Sequence, residues 1–526
     1  MSNSHKGSQH HEGSHSLPDP NGTGEIHTME GISTSMAIFG IIMIILVSHF
    51  FLDFKKKKNL NNNYWKFNIL KIKWLKSLIN KSYFPLLLQS IPMVMLLFII
   101  GSGFWGSQRV NIGPVLTWTW WWVLLIFFIL GFGKVFCSIC PWEGISSLLS
   151  SLTLNSRIKK IGYEKPWPKW ARNVYPALIL FILLTWFELG NDITRSPKMT
   201  ALMALVMLLM AIASTIVFEK RAFCRYACLV GRVSGLYALF SPVELRAVDS
   251  DTCLKCTEQE CYKGNETSVG CPTNLFTASL KENTYCTLCT ECVRSCPHDN
   301  IAINLRPMAT DLLKKYKFRW DESILAIVLL AMTSFHGITM TPSWNKFIDY
   351  LKVEYQFTFQ TSFTFLMIIM TLAPILLFWL TAFLSKIIIK DEVLTTGKIF
   401  KAFSYAIIPV ALFYHLAHNG MHFFMEAQNI IPLLSDPLGF GWDLFGTARK
   451  SYGSLLSLPT IWWIQLFLLI VGHVYGVIIA DKISKQLFMN QKNYLKGLIP
   501  LIVTMIFYSA FSVWLIAQPM EMRTGM

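Results

Sequence analysis

The strongest chemical pattern in the chain is a run of closely spaced cysteines that ends at Pro297. From Cys286 onward it reads Cys-x2-Cys-x2-Cys-x3-Cys-Pro. Thiolate is the soft ligand that iron–sulfur clusters need, and this spacing is typical of bacterial ferredoxins, in which three thiolates hold one cubane and the fourth ligates a second. The sequence therefore predicts a loop that binds iron–sulfur clusters.

A looser set of cysteines precedes this run and completes two ligand sets. By the cross-ligation rule of two-cluster ferredoxins, one [4Fe–4S] cluster is expected to take Cys253, Cys256, Cys261 and Cys296. The other is expected to take Cys286, Cys289, Cys292 and Cys271, the last of which is also followed by proline. Zinc sites or a disulfide knot are the alternatives, but neither explains two Cys-Pro endings in tandem.

Two further cysteine pairs form an internal repeat. Phe136-Cys137-x2-Cys140-Pro141 resembles Phe223-Cys224-x3-Cys228, and each motif follows an apolar segment and a nearby lysine, Lys134 or Lys220. Four thiolates from two similar units are enough for a third metal centre, and redox-active thiols are the alternative. Lys220, Arg221 and Arg225 are expected to lower the pKa of these thiols.

Five histidines lie within apolar segments of the C-terminal half: His336, His415, His418, His422 and His473. Polar groups in a bilayer are costly and usually face a bundle interior or a cavity. A haem b needs two histidines from facing helices, which His336 with His415 or His418 could supply. A quinone site needs a proton-accepting group, such as His422 or Glu426. Interhelical hydrogen bonds or a copper site would also account for histidines at these positions.

The composition is that of a membrane protein. Of 526 residues, 53% are hydrophobic and only 15% are charged, and the mean hydropathy is +0.43. The net charge of +16 does not indicate nucleic acid, because the basic residues gather at the ends of apolar spans, as the positive-inside rule requires. All twelve cysteines lie between Cys137 and Cys296, which fits a reducing, cytoplasmic location for that block.

About ten membrane-spanning helices are expected to hold these cysteines and histidines in place. These are placed at residues 33–53, 83–103, 115–136, 174–189, 199–218, 323–341, 362–385, 402–424, 460–480 and 497–517. Lys55 to Lys58 follow the first span directly and are expected on the inside. This topology predicts a multi-pass protein of the inner (cytoplasmic) membrane, with a cytoplasmic ferredoxin-like segment and with the N- and C-termini outside.

The fold class is therefore expected to be a mainly α polytopic membrane protein with a small α+β, 2[4Fe–4S] ferredoxin-like domain. Residues 1–30 are polar and rich in histidine, with His5, His10, His11, His15 and His27, and are expected to be disordered. The expected domains are an N-terminal transmembrane domain at 31–244, the ferredoxin-like domain at 245–305 and a C-terminal transmembrane bundle at 306–526.

At these cysteine motifs, over roughly residues 83–305, the chain resembles the membrane polyferredoxins of the NapH/NosR and CcoG type. It departs from them because its first pair is Cys-x2-Cys-Pro, because its second pair lacks the proline, and because a C-terminal bundle of about five spans is added. The resemblance implies electron transfer between the quinone pool and a protein redox partner, such as a cytochrome or a ferredoxin-type subunit.

The sequence contains no nucleophilic or acid–base catalytic constellation, so the chain is expected to act as a subunit of a respiratory complex, at most as part of a quinol dehydrogenase. The expected cofactors are two [4Fe–4S] clusters, with a further metal centre and haem b as additions, and quinone is the expected substrate. The alternative function is an assembly or regulatory factor that reduces or delivers a metal such as copper to a respiratory enzyme. Membrane lipid is an expected partner and nucleic acid is not.

Overall fold

The computed structural model describes residues 16–17, 26–54, 64–81, 83–145, 148, 163–266, 268–315, 317–488 and 494–522. Four of the five tail histidines, His5, His10, His11 and His15, lie outside these ranges. Within them the protein is mainly helical, with a small three-stranded sheet beside the cysteine-rich segment. The expected fold class is confirmed at this level.

Eight described helices are long and apolar enough to cross a membrane. They are Phe84–Trp105, Ile112–Phe132, Pro197–Val217, Trp320–Thr339, Phe359–Ile389, Thr396–Ser435, Leu458–Leu487 and Tyr494–Ile516. The two other expected spans coincide with the apolar helices Thr34–Phe54 and Tyr175–Gly190. The second of these has only 16 residues. At about 1.5 Å per residue it is shorter than the roughly 30 Å hydrocarbon core of a bilayer.

The remaining helices are short and connect the long ones or shape the cysteine-rich segment. They are Lys73–Ile79, Val135–Ser138, Leu229–Tyr237, Ser250–Lys255, Glu260–Lys263, Glu291–Ser295, Thr310–Lys314 and Pro342–Tyr355. Two π-helical segments, Val115–Trp121 and Phe223–Ala227, occur in the third span and at the second cysteine pair. The Pro342–Tyr355 helix was not expected from the sequence. It buries Trp344, Ile348 and Leu351 on one face.

One sheet joins the two ends of the described chain. Its antiparallel strands are Ser16–Leu17, Ile26–Met29 and Met520–Met522, with His27 opposite Met522. Residues 16–17 and 26–29 belong to the segment expected to be disordered, so these six positions differ from that expectation. The difference arises because a strand near the C-terminus supplies backbone hydrogen-bond partners, which composition alone does not reveal.

The other sheet forms the base of the cysteine-rich segment. Its central strand Ile301–Leu305 lies between Phe67–Asn68 and Val243–Ala247, and both pairings are antiparallel. Leu245 and Ile303 face each other in register and pack in a small core with Leu288 and Val293 from the cysteine loop. Burial of these apolar side chains therefore holds the cysteine loop against the sheet.

Buried ion pairs attach the residues that follow the central strand to the same sheet. Arg306 is 1% exposed and donates to Glu244 at 2.7 Å, and it also pairs with Asp311. Arg246 contacts Asp311 at 3.2 Å. Since a buried guanidinium is stable only when it is paired, these carboxylates hold the exit of the cysteine-rich segment in one geometry.

The close contact between two helices at Gly103 can be used to test how the membrane helices pack. A Cβ atom on Gly103 would lie 2.4 Å from the Pro197 carbonyl oxygen and 2.5 Å from the Ala201 Cβ. We expect Gly103→Ala to lower the free energy of unfolding by about 1–3 kcal/mol, because backbone must move to accept it. The thermal unfolding midpoint in detergent measures this loss. Gly131→Ala is the control, since nothing lies within 4 Å of its Cβ position, and equal midpoints for the two variants would refute the packing.

Candidate iron–sulfur sites

The four cysteines of the first expected ligand set line one cavity. Cys253, Cys256, Cys261 and Cys296 surround it together with Asn300. Cys253 is placed by the Ser250–Lys255 helix, which Asp249 caps by accepting hydrogen bonds from the backbone N–H groups of Asp251 and Thr252. Residues 43 positions apart in sequence (253 to 296) are therefore brought to one site, as the cross-ligation rule predicts.

Hydrogen bonds from N–H groups reach the sulfur atoms of this set. The Asn300 side chain donates to Cys253 Sγ at 3.2 Å, and its backbone N–H donates to Cys296 Sγ at 3.3 Å. The backbone N–H of Gln259 donates to Cys256 Sγ at 3.4 Å. Such donors favour the thiolate form, and hydrogen bonds to sulfur tune the potential of a bound cluster.

The thiols of the second expected set lie near enough to affect one another's ionisation. Burial raises the pKa of the Cys292 thiol, and negative charge on Cys289, Cys286 and Cys271 raises it further. Burial also raises the pKa of Cys289 to about 12. The backbone N–H of Leu275 donates to Cys271 Sγ at 3.2 Å. Thiols that oppose one another's ionisation in this way need a bound cation to become thiolates together.

The loop reaches this geometry through left-handed backbone at residues other than glycine. Leu288 has φ +55° and Thr290 has φ +65°, and both lie between cysteines of the second set. Gln259 has φ +52° in the first set. A left-handed conformation costs about 1–2 kcal/mol for such residues, most for a β-branched one such as Thr290. The loop adopts this unfavourable backbone conformation where its cysteine sulfurs must be directed toward a common site.

The spacing of the sulfurs bears on the zinc alternative. A tetrahedral zinc with Zn–S bonds of about 2.3 Å holds its sulfurs roughly 3.8 Å apart. Among the described residues, no three cysteine sulfurs lie within 4.8 Å of one another. A polynuclear cluster spreads its cysteine ligands over several metal ions and does not require such short sulfur–sulfur distances. The cysteine-rich segment is therefore consistent with iron–sulfur clusters.

The structure brings the two additional cysteine pairs together. The thiols of Cys140 and Cys224 both have a raised pKa, for which burial is the main cause and the nearby Cys228 thiol the second. Cys137 Sγ lies 3.4 Å from Ser234 Oγ. We refer to Cys137, Cys140, Cys224 and Cys228 as the four-cysteine group.

A buried ion pair joins the two halves of the four-cysteine group. Glu143 follows the first pair, Arg221 precedes the second, and both side chains are at most 5% exposed. The backbone N–H of Gly231 donates to Cys228 Sγ at 3.3 Å at the start of the Leu229–Tyr237 helix. The repeat seen in the sequence thus corresponds to two units that meet face to face.

Nearby cations do lower the pKa of these thiols, but burial has the larger, opposite effect. At Cys224 the positive charge of Arg221 lowers the pKa by less than burial raises it, and burial raises the pKa of Cys228 to about 11. Lys220 instead donates to the carbonyl oxygens of Tyr262 and Cys271, and Arg225 donates to that of Asn274. These basic side chains are used to attach the ferredoxin-like segment to the membrane helices.

Cations also link the four-cysteine group to the second ferredoxin set. Lys134 is buried, and the thiols of Cys137, Cys228 and Cys286 all act on it. Burial lowers the pKa of Lys134 to about 8. The positive charge of Arg221 lowers the pKa of both Cys224 and Cys289, against the larger effect of burial. The two groups of thiols are therefore neighbours that share positive charge.

The five histidines separate into three environments. His415 Nδ1 lies 2.7 Å from the Tyr237 hydroxyl. His473 lies between two serine hydroxyls, 2.7 Å from Ser48 Oγ and 2.8 Å from Ser509 Oγ. The other three, which we call the histidine cluster, are His336, His418 and His422.

The expected haem b ligands fall into two of these environments. The ring centroid of His418 lies 4.7 Å from that of His336 and 5.0 Å from that of His422. The His336 and His422 centroids are 6.2 Å apart, so the three rings form a compact triangle. His415, the other expected ligand, has one ring nitrogen engaged by Tyr237.

Sequence reasoning missed several residues that shape these sites. Asn300 contacts two sulfurs, Tyr237 contacts His415, and the Glu143–Arg221 pair joins the cysteine motifs. The last pair carried a signal, because each residue stands three positions from a cysteine of its motif. Tyr237 carried none, since its partner His415 comes from a distant part of the chain, and the bond from the Asn300 side chain to Cys253 likewise joins residues far apart in sequence.

Cys289→Ala tests the second ligand set. We expect loss of about four irons per protein and of one reduced-cluster signal, because a cubane loses a ligand. Iron and acid-labile sulfide in anaerobically purified protein, together with electron paramagnetic resonance after reduction, measure this. Thr287→Ala, in the same loop, is the control and should keep full iron content. Unchanged iron in Cys289→Ala would show that the ligand assignment is wrong.

Comparisons with known proteins give one distant relative. The chain is 27% identical over 191 residues to "Putative electron transport protein YccM" of Escherichia coli (strain K12). The match covers 31% of this chain and 49% of the relative, so the chain spans about half the length of the protein that it matches. No family model and no solved structure matches. The chain thus has cysteine motifs and apolar helices, and part of it is similar to a protein described as a putative electron transport protein.

Proposed function

We propose that this protein transfers electrons in a membrane through iron–sulfur clusters. The observation that carries the proposal is the proximity of three groups of thiols. Cys296 of the first ferredoxin set packs against the same small core as Cys286 and Cys292 of the second. The backbone N–H of Arg221, which precedes the second pair of the four-cysteine group, donates to the carbonyl oxygen of Pro272 at 3.0 Å, next to Cys271 of the second set. Electron transfer needs redox centres at short separations, and this arrangement gives the chain three neighbouring places for them.

The chain's own residues hold and tune these centres. Bound clusters supply the one-electron chemistry, while the cysteines fix their positions. The N–H donors of Asn300 and Gln259 stabilise negative charge on sulfur in the first set. Buried Lys134 and Arg221 favour the reduced, more negative state at the second set and at the four-cysteine group. Whether the four-cysteine group holds a cluster or works as redox thiols is tested by its iron content.

Quinol, which is oxidised to quinone, is the proposed electron donor, and an apolar cavity beside the first cysteine pair favours it. Leu96, Leu116, Trp121 and Ala204 help to line this cavity, and Pro141 and Trp142 of the cysteine motif complete the wall. Apolar cavities with a few polar groups are typical of ligand sites. The Trp142 Nε1 donor is buried and has no hydrogen-bond partner among the described residues. A quinone carbonyl would satisfy it beside Cys140.

The proposed setting is the inner, cytoplasmic membrane, with the ferredoxin-like domain at 245–305 in the cytoplasm and the two transmembrane domains at 31–244 and 306–526. The positive-inside rule supports this orientation. Both termini would then lie outside, in agreement with the sheet that joins them. A protein redox partner, a cytochrome or a ferredoxin-type subunit, would exchange electrons with the first cluster set, where Cys256 and Cys296 are only partly buried.

The second candidate function is that of an assembly factor that reduces or delivers a metal. The histidine cluster favours it, because imidazole nitrogen binds copper and zinc well. Quinol-dependent cluster reduction distinguishes the two functions, since an electron-transfer subunit requires it and a metal-delivery factor does not.

Trp142→Phe tests the quinone site. We expect the apparent affinity for a soluble quinol to fall roughly 2- to 10-fold, because one hydrogen bond is lost from a buried site. Anaerobic reduction of the clusters by quinol, followed by absorbance, measures it. Trp462→Phe is the matched control, since its indole Nε1 is likewise buried without a described partner but lies on a different helix. Equal kinetics in both variants would exclude this cavity, and no quinol-dependent reduction in the wild type would exclude quinol oxidation.

A further inference from the structure

Two helices bring three imidazoles to one point in the membrane-spanning bundle. His336 lies near the end of Trp320–Thr339, and His418 and His422 lie one turn apart on Ile408–Glu426. One ligand nitrogen from each of the three rings lies within 4.8 Å of the others. The His336 and His422 ring centroids are 6.2 Å apart. Three convergent imidazoles are a common donor set for a single transition-metal ion.

His422 carries the features of a metal ligand that is already oriented. Its Nδ1 lies 3.1 Å from Glu426 Oε1, one turn along the same helix. Its Nε2 is buried and has no hydrogen-bond partner among the described residues. A carboxylate on one ring nitrogen fixes the tautomer and makes the other nitrogen a better ligand, which is the usual arrangement of metal-bound histidine.

The two remaining histidines show what a purely structural histidine looks like here. His473 has both ring nitrogens at hydrogen-bonding distance from serine hydroxyls. His415 has the Tyr237 hydroxyl at 2.7 Å. The bundle thus satisfies isolated histidines with hydroxyl groups. His422 differs, because one ring nitrogen contacts a carboxylate and the other has no hydrogen-bond partner in the described part of the chain.

The charge around the histidine cluster suits a cation. Glu426 contacts His422, and Glu188 lines the cavity that also contains His336 and His418. A divalent ion in a membrane interior needs nearby negative charge, since an isolated buried charge is costly. Two carboxylates from different helices offset that cost.

We propose that His336, His418 and His422 bind a single transition-metal ion of the copper or zinc class, with Glu426 as the positioning residue of His422. His336 follows Trp320 by 16 residues, which is about 24 Å along the helix. Trp320 comes shortly after the ferredoxin-like segment, so the ion site lies toward the opposite face of the bundle from the cysteines. The site does not depend on the proposed electron transfer through the clusters.

Metal binding to the purified full-length chain in detergent tests this proposal. The tail histidines His5, His10, His11, His15 and His27 are first replaced by alanine in every variant, since they can bind metal themselves. Titration with Zn²⁺ alone and with Cu⁺ alone by calorimetry, with elemental analysis of the product, distinguishes the two ions. We expect one equivalent to bind in this background.

His418→Gln is expected to lose this equivalent. Glu426→Gln is expected to weaken binding about 10- to 100-fold, because the carboxylate only orients a ligand. His473→Gln is the matched control, also a buried histidine in the bundle, and should bind like the parent. Iron and sulfide content should stay equal in all variants, which separates failure of this site from failure of the clusters.

Three outcomes would overturn the proposal. One is an unchanged equivalent in both His418→Gln and Glu426→Gln, which would place the ion elsewhere. Another is the absence of any bound equivalent in the parent. The third is a b-type haem spectrum in the parent that disappears in Glu426→Gln or His418→Gln. Glu426→Gln keeps the test decisive if His418→Gln does not fold.

Discussion

The cost of burying ionisable groups governs the arrangement of this protein. Eight of the twelve thiols belong to the ferredoxin-like segment and four to the membrane-facing repeat. Burial is the main cause of the raised pKa of Cys140 and Cys224, and the neighbouring thiols raise it further, so that without a bound cation these groups are neutral thiols. The structure places Lys134 and Arg221 among them and surrounds these cations with sulfur and carboxylate. Each buried charge is thus matched by another, or by a centre that the thiols would bind.

The same constraint attaches the ferredoxin-like segment to the membrane helices. Lys220 donates to two of its carbonyl oxygens, and Arg232 donates to that of Thr284 at 2.7 Å. These are charge-assisted hydrogen bonds, which are stronger and more specific than neutral ones. In the sequence, the basic loop between spans indicates topology. In the structure it is also the surface on which the cysteine loops rest, so the distance between the second ligand set and the four-cysteine group is fixed by side chains and not by a flexible linker.

The membrane helices and the cysteine grouping could be predicted from the sequence, because both follow from local rules. Each span is a run of apolar residues long enough to form a helix in lipid, and ligand spacing in a ferredoxin loop is set by a few neighbouring residues. The separation of the histidines could not be predicted, since it depends on which helices touch. His415, His418 and His422 share one helix, yet one faces Tyr237 and two face His336. The spacing of these histidines predicts that they share one face of the helix. Only the packing of the helices decides which residues that face contacts.

The net pKa of the buried thiols could not be predicted for the same reason. Counting basic residues near Cys224 ignores burial, and a fully buried thiol loses more from desolvation than it gains from one guanidinium. The backbone shows the same trade-off. Thr290 adopts φ +65° in the middle of the cluster loop, a conformation that a threonine does not choose by itself. Each such residue therefore destabilises the loop by about 1–2 kcal/mol, and the resulting backbone conformation directs the cysteine sulfurs. Thr290 also directly precedes the Glu291–Ser295 helix, so the same backbone turn that directs the sulfurs starts the helix that carries Cys292.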